Sequence, residues 1–239
     1  SFASSGLGDL AVVSGHFGEA ERIFNDGIAA HLSVKNVEGA AAKLTALAHA
    51  ELSRGRPAAA VGAVEKALTY SKVLKIRFLA GRSLIEGGEN DRARTLSAEL
   101  AGETPAEPRA YAKILDGEMA LKRRDAGAAV TALLEANTLL DTWIGHFVLG
   151  RAYLAMGELI SADSEFDRCI TRSGEALSLF LDEEPTYGYF PAVFYYQGRI
   201  RQELKMGFKA LGHVGPAASF FGSARTRPDD AEYRLARGT

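Results

Sequence analysis

The stretch Phe147-Val148-Leu149-Gly150-Arg151-Ala152-Tyr153-Leu154-Ala155-Met156-Gly157-Glu158-Leu159-Ile160-Ser161-Ala162-Asp163-Ser164-Glu165-Phe166-Asp167-Arg168-Cys169-Ile170 decides the reading of this chain. Phe147, Leu149, Gly150, Tyr153 and Leu154 have helical spacing; Gly157-Glu158 breaks the run, and Ala162, Phe166, Cys169 and Ile170 resume it. That predicts two helices joined by a tight turn. Small residues stand at 150, 162 and 169, where a larger side chain on a helix contact line would push the axes apart.

The same spacing recurs outward in both directions. Gly8/Ala20/Gly27, Ala48/Ala60/Ala67, Gly81/Ala93/Leu100 and Gly117/Ala129/Ala136 repeat it, and Gly198/Ala217/Ala224 repeats it with a stretched first gap. The lead positions are separated by 40, 33, 36, 33 and 48 residues, and a regular period in this range marks a stacked array. Four positions after the second small residue stand Phe24, Val64, Leu133, Phe166 and Phe221, read as knobs between the helices; Ser97 at that place predicts the weakest-packed unit.

These runs, above all Leu149-Gly150-x-x-Tyr153 with Gly157, Ala162 and Phe166, resemble the tetratricopeptide repeat over roughly residues 2–226. The resemblance implies an all-α fold, an α-solenoid of about six stacked helix-turn-helix units near 1–34, 41–74, 75–107, 110–142, 143–184 and 191–228, forming one domain. Periods of 40 and 48 depart from the family's 34 and imply longer helices or inserts. Trp143 lies upstream of the position where the family prefers a large aromatic. The segment from Phe180 to Tyr187, with Phe190-Pro191 and Tyr195-Tyr196-Gln197-Gly198-Arg199, resembles the closing repeats of bacterial multidomain signalling proteins that carry a serine/threonine kinase or a winged-helix module. The chain is accordingly expected to be a fragment of a longer protein.

Two stretches read as linkers. Gly102 to Pro108 holds two prolines and a glycine, and Asp182 to Pro191 follows a helix expected to run from Leu159 to Leu181. Pro191 is expected to open the next helix. Lys205 to Gly215 reads as an insert before Ala217.

Composition narrows the function. The 239 residues carry a net charge of −2 with both signs interspersed, which argues against a nucleic-acid or membrane footprint. No apolar run reaches the length of a spanning helix. The reading is a soluble protein, expected in the cytoplasm, with a periplasmic or other extracytoplasmic place as the open alternative. With one cysteine no internal disulfide can form, and Cys169 is read as a packing residue. His16, His31, His49, His146 and His213 show no metal-ligand spacing and are read as surface or partly packed, so no metal or cofactor is expected. Gly207 to Gly212 lacks the Lys-Ser/Thr of a phosphate loop, and Arg123-Arg124-Asp125 lacks the metal-binding Asn of a kinase catalytic loop.

What remains is a binding face. By the resemblance, the first helix of each unit faces the partner through the residue after the lead small position and those three and six before it. The first column reads Asp9, His49, Arg82, Glu118, Arg151 and Arg199; the second Ser5, Thr45, Phe78, Ile114, Phe147 and Tyr195; the third includes Lys75 and Tyr111. Arginine forks beside aromatic faces suit an acidic peptide or protein partner. The candidate partner residues are Lys75, Phe78, Arg82, Tyr111, Glu118, Phe147, Arg151, Tyr195 and Arg199. A second reading stays open residue by residue: Arg82 or Arg151 pairs with Glu118 across neighbouring helices, and Phe78 or Phe147 packs in the seam. The expected function is a non-catalytic interaction scaffold; the alternatives are the regulatory part of a larger signalling enzyme and an RNA-binding helical repeat.

Overall fold

A computed structural model describes residues 2–175 and 190–211. Among these residues every regular element is helical: α1 (Phe2–Val13), α2 (Phe17–Ser33), α3 (Val37–Ser53), α4 (Pro57–Tyr70), α5 (Leu74–Gly87), α6 (Asn90–Ala101), α7 (Ala106–Lys122), α8 (Ala126–Leu139), α9 (Trp143–Met156), α10 (Leu159–Thr171) and α11 (Phe190–Leu211). The chain divides into two compact units, 1–200 and 201–239. The first holds α1 to α10 and the start of α11; in the second the described residues are the remainder of α11.

Within the first unit each helix from α1 to α10 packs on the next, and α1, α3, α5, α7 and α9 also touch one another in succession. The small-residue columns make this close approach possible. Ala20, Ala60, Ala93, Ala129 and Ala162 are fully buried. A Cβ added at Gly117 would lie 2.7 Å from Leu133, and one at Gly150 would lie 2.8 Å from Phe166, so each glycine is the notch that its own pair's knob fills. The α5–α6 pair departs from this. Ser97 is too short to reach Gly81, and Leu115 of α7 fills the notch instead, 2.8 Å from where a Cβ would sit. Ser97 is buried, its Oγ 2.7 Å from Asp116 Oδ1 and 3.1 Å from the Ala112 carbonyl. The gap in the knob column is thus closed by the next helix.

Two kinds of connection alternate along most of the chain. Turns after α1, α3, α5, α7 and α9 each contain one left-handed residue: Gly15, Gly55, Gly88, Arg124 and Gly157. The residue after it donates to a carbonyl five back, as in Arg56 N–H to Glu51 O at 2.8 Å and Asp125 N–H to Ala120 O at 2.9 Å, which satisfies the helix's last carbonyls. Connections after α4, α6 and α8 are instead extended, at Val73, Pro105 and Thr142. The α2–α3 turn belongs to the first kind, with Lys35 left-handed. It lets α2 and α3 each run for 17 residues, and this length accounts for the 40-residue period.

Several boundaries differ from expectation. The second unit begins at Val37, ahead of 41, because Asn36 accepts the Gly39 N–H at 2.9 Å and caps α3. The loop expected to reach Pro108 ends at Pro105; Pro108 lies in the first turn of α7, where its missing N–H leaves no bond unmade. The helix expected to run to Leu181 ends at Thr171 and is followed by a single 3₁₀ turn, Ser173–Glu175. Pro191 does fall in the first turn of α11. Residues 176–189, and Ala217, Phe221 and Ala224 with the rest of the sixth unit's second half, lie outside the described residues.

Candidate binding face on the first helices

Register carries the charged column along α1, α3, α5, α7, α9 and α11, but the residues meet very different surroundings. Arg82 and Glu118 are 5% and 8% exposed. Arg82 Nε lies 2.9 and 3.0 Å from the two Glu118 carboxylate oxygens, and Nη2 donates to Oε1 at 2.8 Å. This is the cross-helix pairing that the sequence left open, and it commits the Arg82 fork within the fold. Half-buried His49 is held down to about 4 by desolvation and then by the Arg82 charge, so its imidazole is neutral at pH 7.

The aromatic column is mostly core. Phe78 is fully buried with its ring 4.7 Å from that of Tyr111, and Phe147 is buried against Trp143 and Phe166. Burial, and then Glu107, push the Tyr111 hydroxyl up to about 12. Five of the expected partner residues, Phe78, Arg82, Tyr111, Glu118 and Phe147, thus lie inside the helix seam. Lys75 is half-buried in the first turn of α5, and Tyr195 and Arg199 are exposed on α11.

Arg151 differs from Arg82. Its side chain is 31% exposed, its Nη1 stands 3.8 Å from Glu118 Oε1, and its guanidinium lies 5.9 Å from the centroids of both the Phe147 and Tyr196 rings. Two rings flank the guanidinium, and the side chain keeps part of its surface open to solvent. Glu118 is neutralised by Arg82, so this trio leaves one net positive charge, on Arg151. Tyr196 was not singled out from the sequence, where Tyr195 holds the column; in the fold Tyr196 stacks on Phe166 at 5.5 Å and Tyr195 turns outward. Neighbouring Gln197 is buried, its Nε2 donating to Asp167 at 2.8 Å.

A second polar cluster lies where the α8–α9 connection meets the end of α10. His146, read from the sequence as a surface or partly packed residue, is only 4% exposed. Its Nδ1 is 2.5 Å from Glu165 and its Nε2 is 2.8 Å from Asp141, while Arg172 bonds both Asp141 and Glu175. Glu165, and then Asp141, hold the imidazole above its ordinary value against the cost of burial. Nearby Cys169 is packed under Trp143, whose Nε1 donates to the Cys169 carbonyl at 2.9 Å. Burial and the Glu165 charge push the thiol up to about 12, so it is a poor nucleophile at neutral pH. Asp125, in the triplet that faintly echoes a kinase loop, caps α8 by accepting from Ala128 N–H at 3.0 Å.

Among the described residues no group of three or more His, Cys, Asp or Glu is placed to hold a metal ion, and no helix is long and apolar enough to cross a membrane. No family model matches the chain, and no curated protein is significantly similar to it.

Proposed function

We propose that this chain is a tetratricopeptide-like scaffold that binds an acidic peptide or protein segment along the first-helix face around α9, with Arg151 as the recognising cation. The observation that carries the reading is the Arg151 guanidinium, fixed over Phe147 and Tyr196 and partly open to solvent, beside an Arg82–Glu118 pair already satisfied. A carboxylate meeting a pre-positioned fork gains charge-assisted hydrogen bonds with little further loss of side-chain freedom. Exposed Tyr195 and Arg199 on α11, the next first helix after α9, add one aromatic and one positive group. The net charge of −2 with interspersed signs favours a peptide over nucleic acid as the partner.

The test is fluorescence anisotropy with a panel of labelled peptides carrying Asp or Glu beside Leu or Phe, against the same peptides with Asn or Gln. Acidic members should bind better, more weakly as salt rises, and about tenfold or more weaker to Arg151→Met, in line with a charged hydrogen bond worth roughly 1.5–3 kcal/mol. Met keeps an apolar stem against the rings, so the melting temperature should hold. Equal binding of acidic and amide peptides, or full binding by Arg151→Met, would remove Arg151 from the proposal.

A further inference from the structure

Two columns of the first helices change character on α1. The residue before the lead small position is Leu7 on α1, Leu47 on α3, Ala80 on α5, Asp116 on α7, Leu149 on α9 and Gln197 on α11; the residue two after it is Leu10, Ala50, Ser83, Met119, Ala152 and Ile200 in the same order. From α3 onward every member except Asp116 is at most 9% exposed, and Asp116 is half-buried. Leu7 and Leu10 are 56% and 57% exposed. Two hydrogen bonds identify what covers the first of these columns elsewhere. Ser97 of α6 donates to Asp116 at 2.7 Å, and Gln197 donates to Asp167 of α10 at 2.8 Å. In both cases the covering element is a helix, the second one of the preceding pair, and a polar column residue meets a polar partner.

On α1 the same face is hydrocarbon. Leu7, Leu10 and Val13 follow one another at helical spacing of three, and Val13 is 50% exposed. The one charged residue of α1, Asp9, is 6% exposed, so the outward stripe carries no charge. Leu7 also borders a cleft that Ile23 of α2 and exposed Val34 line, so open hydrocarbon continues from α1 to α2. Aligned exposed apolar residues of this kind mark an interaction surface, and the covered columns show that a helix with a matching apolar side fits it. Among the described helices α1 itself has such a side. Helix α11 also exposes Phe194 and Tyr195, but beside exposed Arg199 and Arg201. Two uncharged α1 stripes can face each other about a two-fold axis with no like charges brought together.

We infer that this face is a self-association surface: α1 packs against α1 of a second copy of the chain, burying Leu7, Leu10 and Val13 of both. The surface is separate from the Arg151 face, so either can fail without the other. Helices of 12 and 17 residues side by side offer an end face of roughly 400 Å², about half of what each partner gives in a stable complex. The dimer is therefore weak, with a dissociation constant on the order of 0.1 mM. The experiment is sedimentation equilibrium of the full chain from about 10 μM to 1 mM, a range that brackets that constant. A monomer–dimer equilibrium is expected. Leu7→Glu/Leu10→Glu, at two exposed positions, should keep the melting temperature and weaken association about tenfold or more, because four carboxylates would then face one another across the axis. Ile160→Glu, at an 85% exposed residue of α10, should leave association unchanged. A monomer at every concentration would assign the face to a helix of another protein and overturn the inference. Growth beyond the dimer would mean head-to-tail stacking, and a dimer that survives Leu7→Glu/Leu10→Glu or is lost in Ile160→Glu would place the contact elsewhere; each would overturn it as well.

Discussion

Arg82 of α5 and Glu118 of α7 bind each other through a fork with distances of 2.8 to 3.0 Å while both are nearly excluded from water, which ties two non-consecutive helices by charge. Removing one partner strands the other, and a lone buried charge typically costs about 3–5 kcal/mol. Arg82→Met should approach that range, tempered by Arg151 at 3.8 Å from the abandoned carboxylate. The double variant Arg82→Met/Glu118→Leu should recover most of the loss, because well-packed hydrocarbon often replaces a buried pair at little cost. Urea unfolding of the two single variants and the double variant measures this coupling. Additive losses would mean that the pair contributes nothing as a pair.

The His146 cluster gives stability a definite pH dependence. Both ring nitrogens face carboxylates, so the doubly protonated imidazole is favoured in the fold and its affinity for the proton rises above the ordinary 6.5. Its contribution is therefore complete below about 6.5 and is lost as pH climbs through the raised folded value. Asp141 runs the other way. Arg172 foremost holds it below the ordinary 3.8, so its contribution is present above that value and is lost as pH falls through the folded one. The melting-temperature advantage of the natural chain over His146→Gln should shrink steadily from pH 6 to pH 9 in thermal melts. A constant advantage would show that His146 acts by packing alone.

What was legible in the sequence was whatever close contact imposes on residue size. Gly150, Ala162 and Phe166 announced a helix pair because only small residues at that spacing admit the knob, and the pair is there. Pro108 misled because the first turn of a helix and a loop tolerate proline equally well. The knob at Gly81 could not be read locally, since it comes from Leu115 on a different helix pair. The charged column was visible as a column; how deeply each member lies was not. Burial at Arg82 depends on how near α7 comes to α5, a distance no spacing encodes, while Lys43 and His146 reach partners on other elements through side chains whose direction is set only in the fold.

The left-handed turn residues form a natural comparison. Gly55 and Gly157 adopt their positive φ without a Cβ to oppose it, whereas Lys35 and Arg124 hold φ of 58° and 64° with side chains present. A non-glycine residue in this region costs roughly 1–2 kcal/mol. Lys35→Gly and Arg124→Gly should each stabilise the chain by about 0.5–1 kcal/mol, the gain reduced by the added freedom of the unfolded state. Gly157→Ala should cost about 1 kcal/mol or more. Chemical denaturation of the three variants checks the signs; destabilisation by Arg124→Gly would mean that its side chain contributes more than its backbone costs.

Gly150 and Phe166 form a notch and a knob, so they should behave as one packing unit. A methyl group at 150 would sit 2.8 Å from the Phe166 ring, and the ring cannot retreat because it stacks on Tyr196 at 5.5 Å and meets Phe147 edge-on at 6.3 Å. Gly150→Ala should therefore destabilise by about 1–3 kcal/mol despite alanine's better helix propensity. Phe166→Ala should cost about 3–5 kcal/mol through the cavity it leaves, and Ala162→Leu about 1–3 kcal/mol by overpacking the same seam. Combining Gly150→Ala with Phe166→Leu should cost less than the two changes summed, because the smaller side chain makes room for the methyl group. Calorimetric unfolding of the set decides it. Strict additivity would show that the α9–α10 contact is loose enough to absorb a methyl group, and that the small-residue column has some role other than close approach.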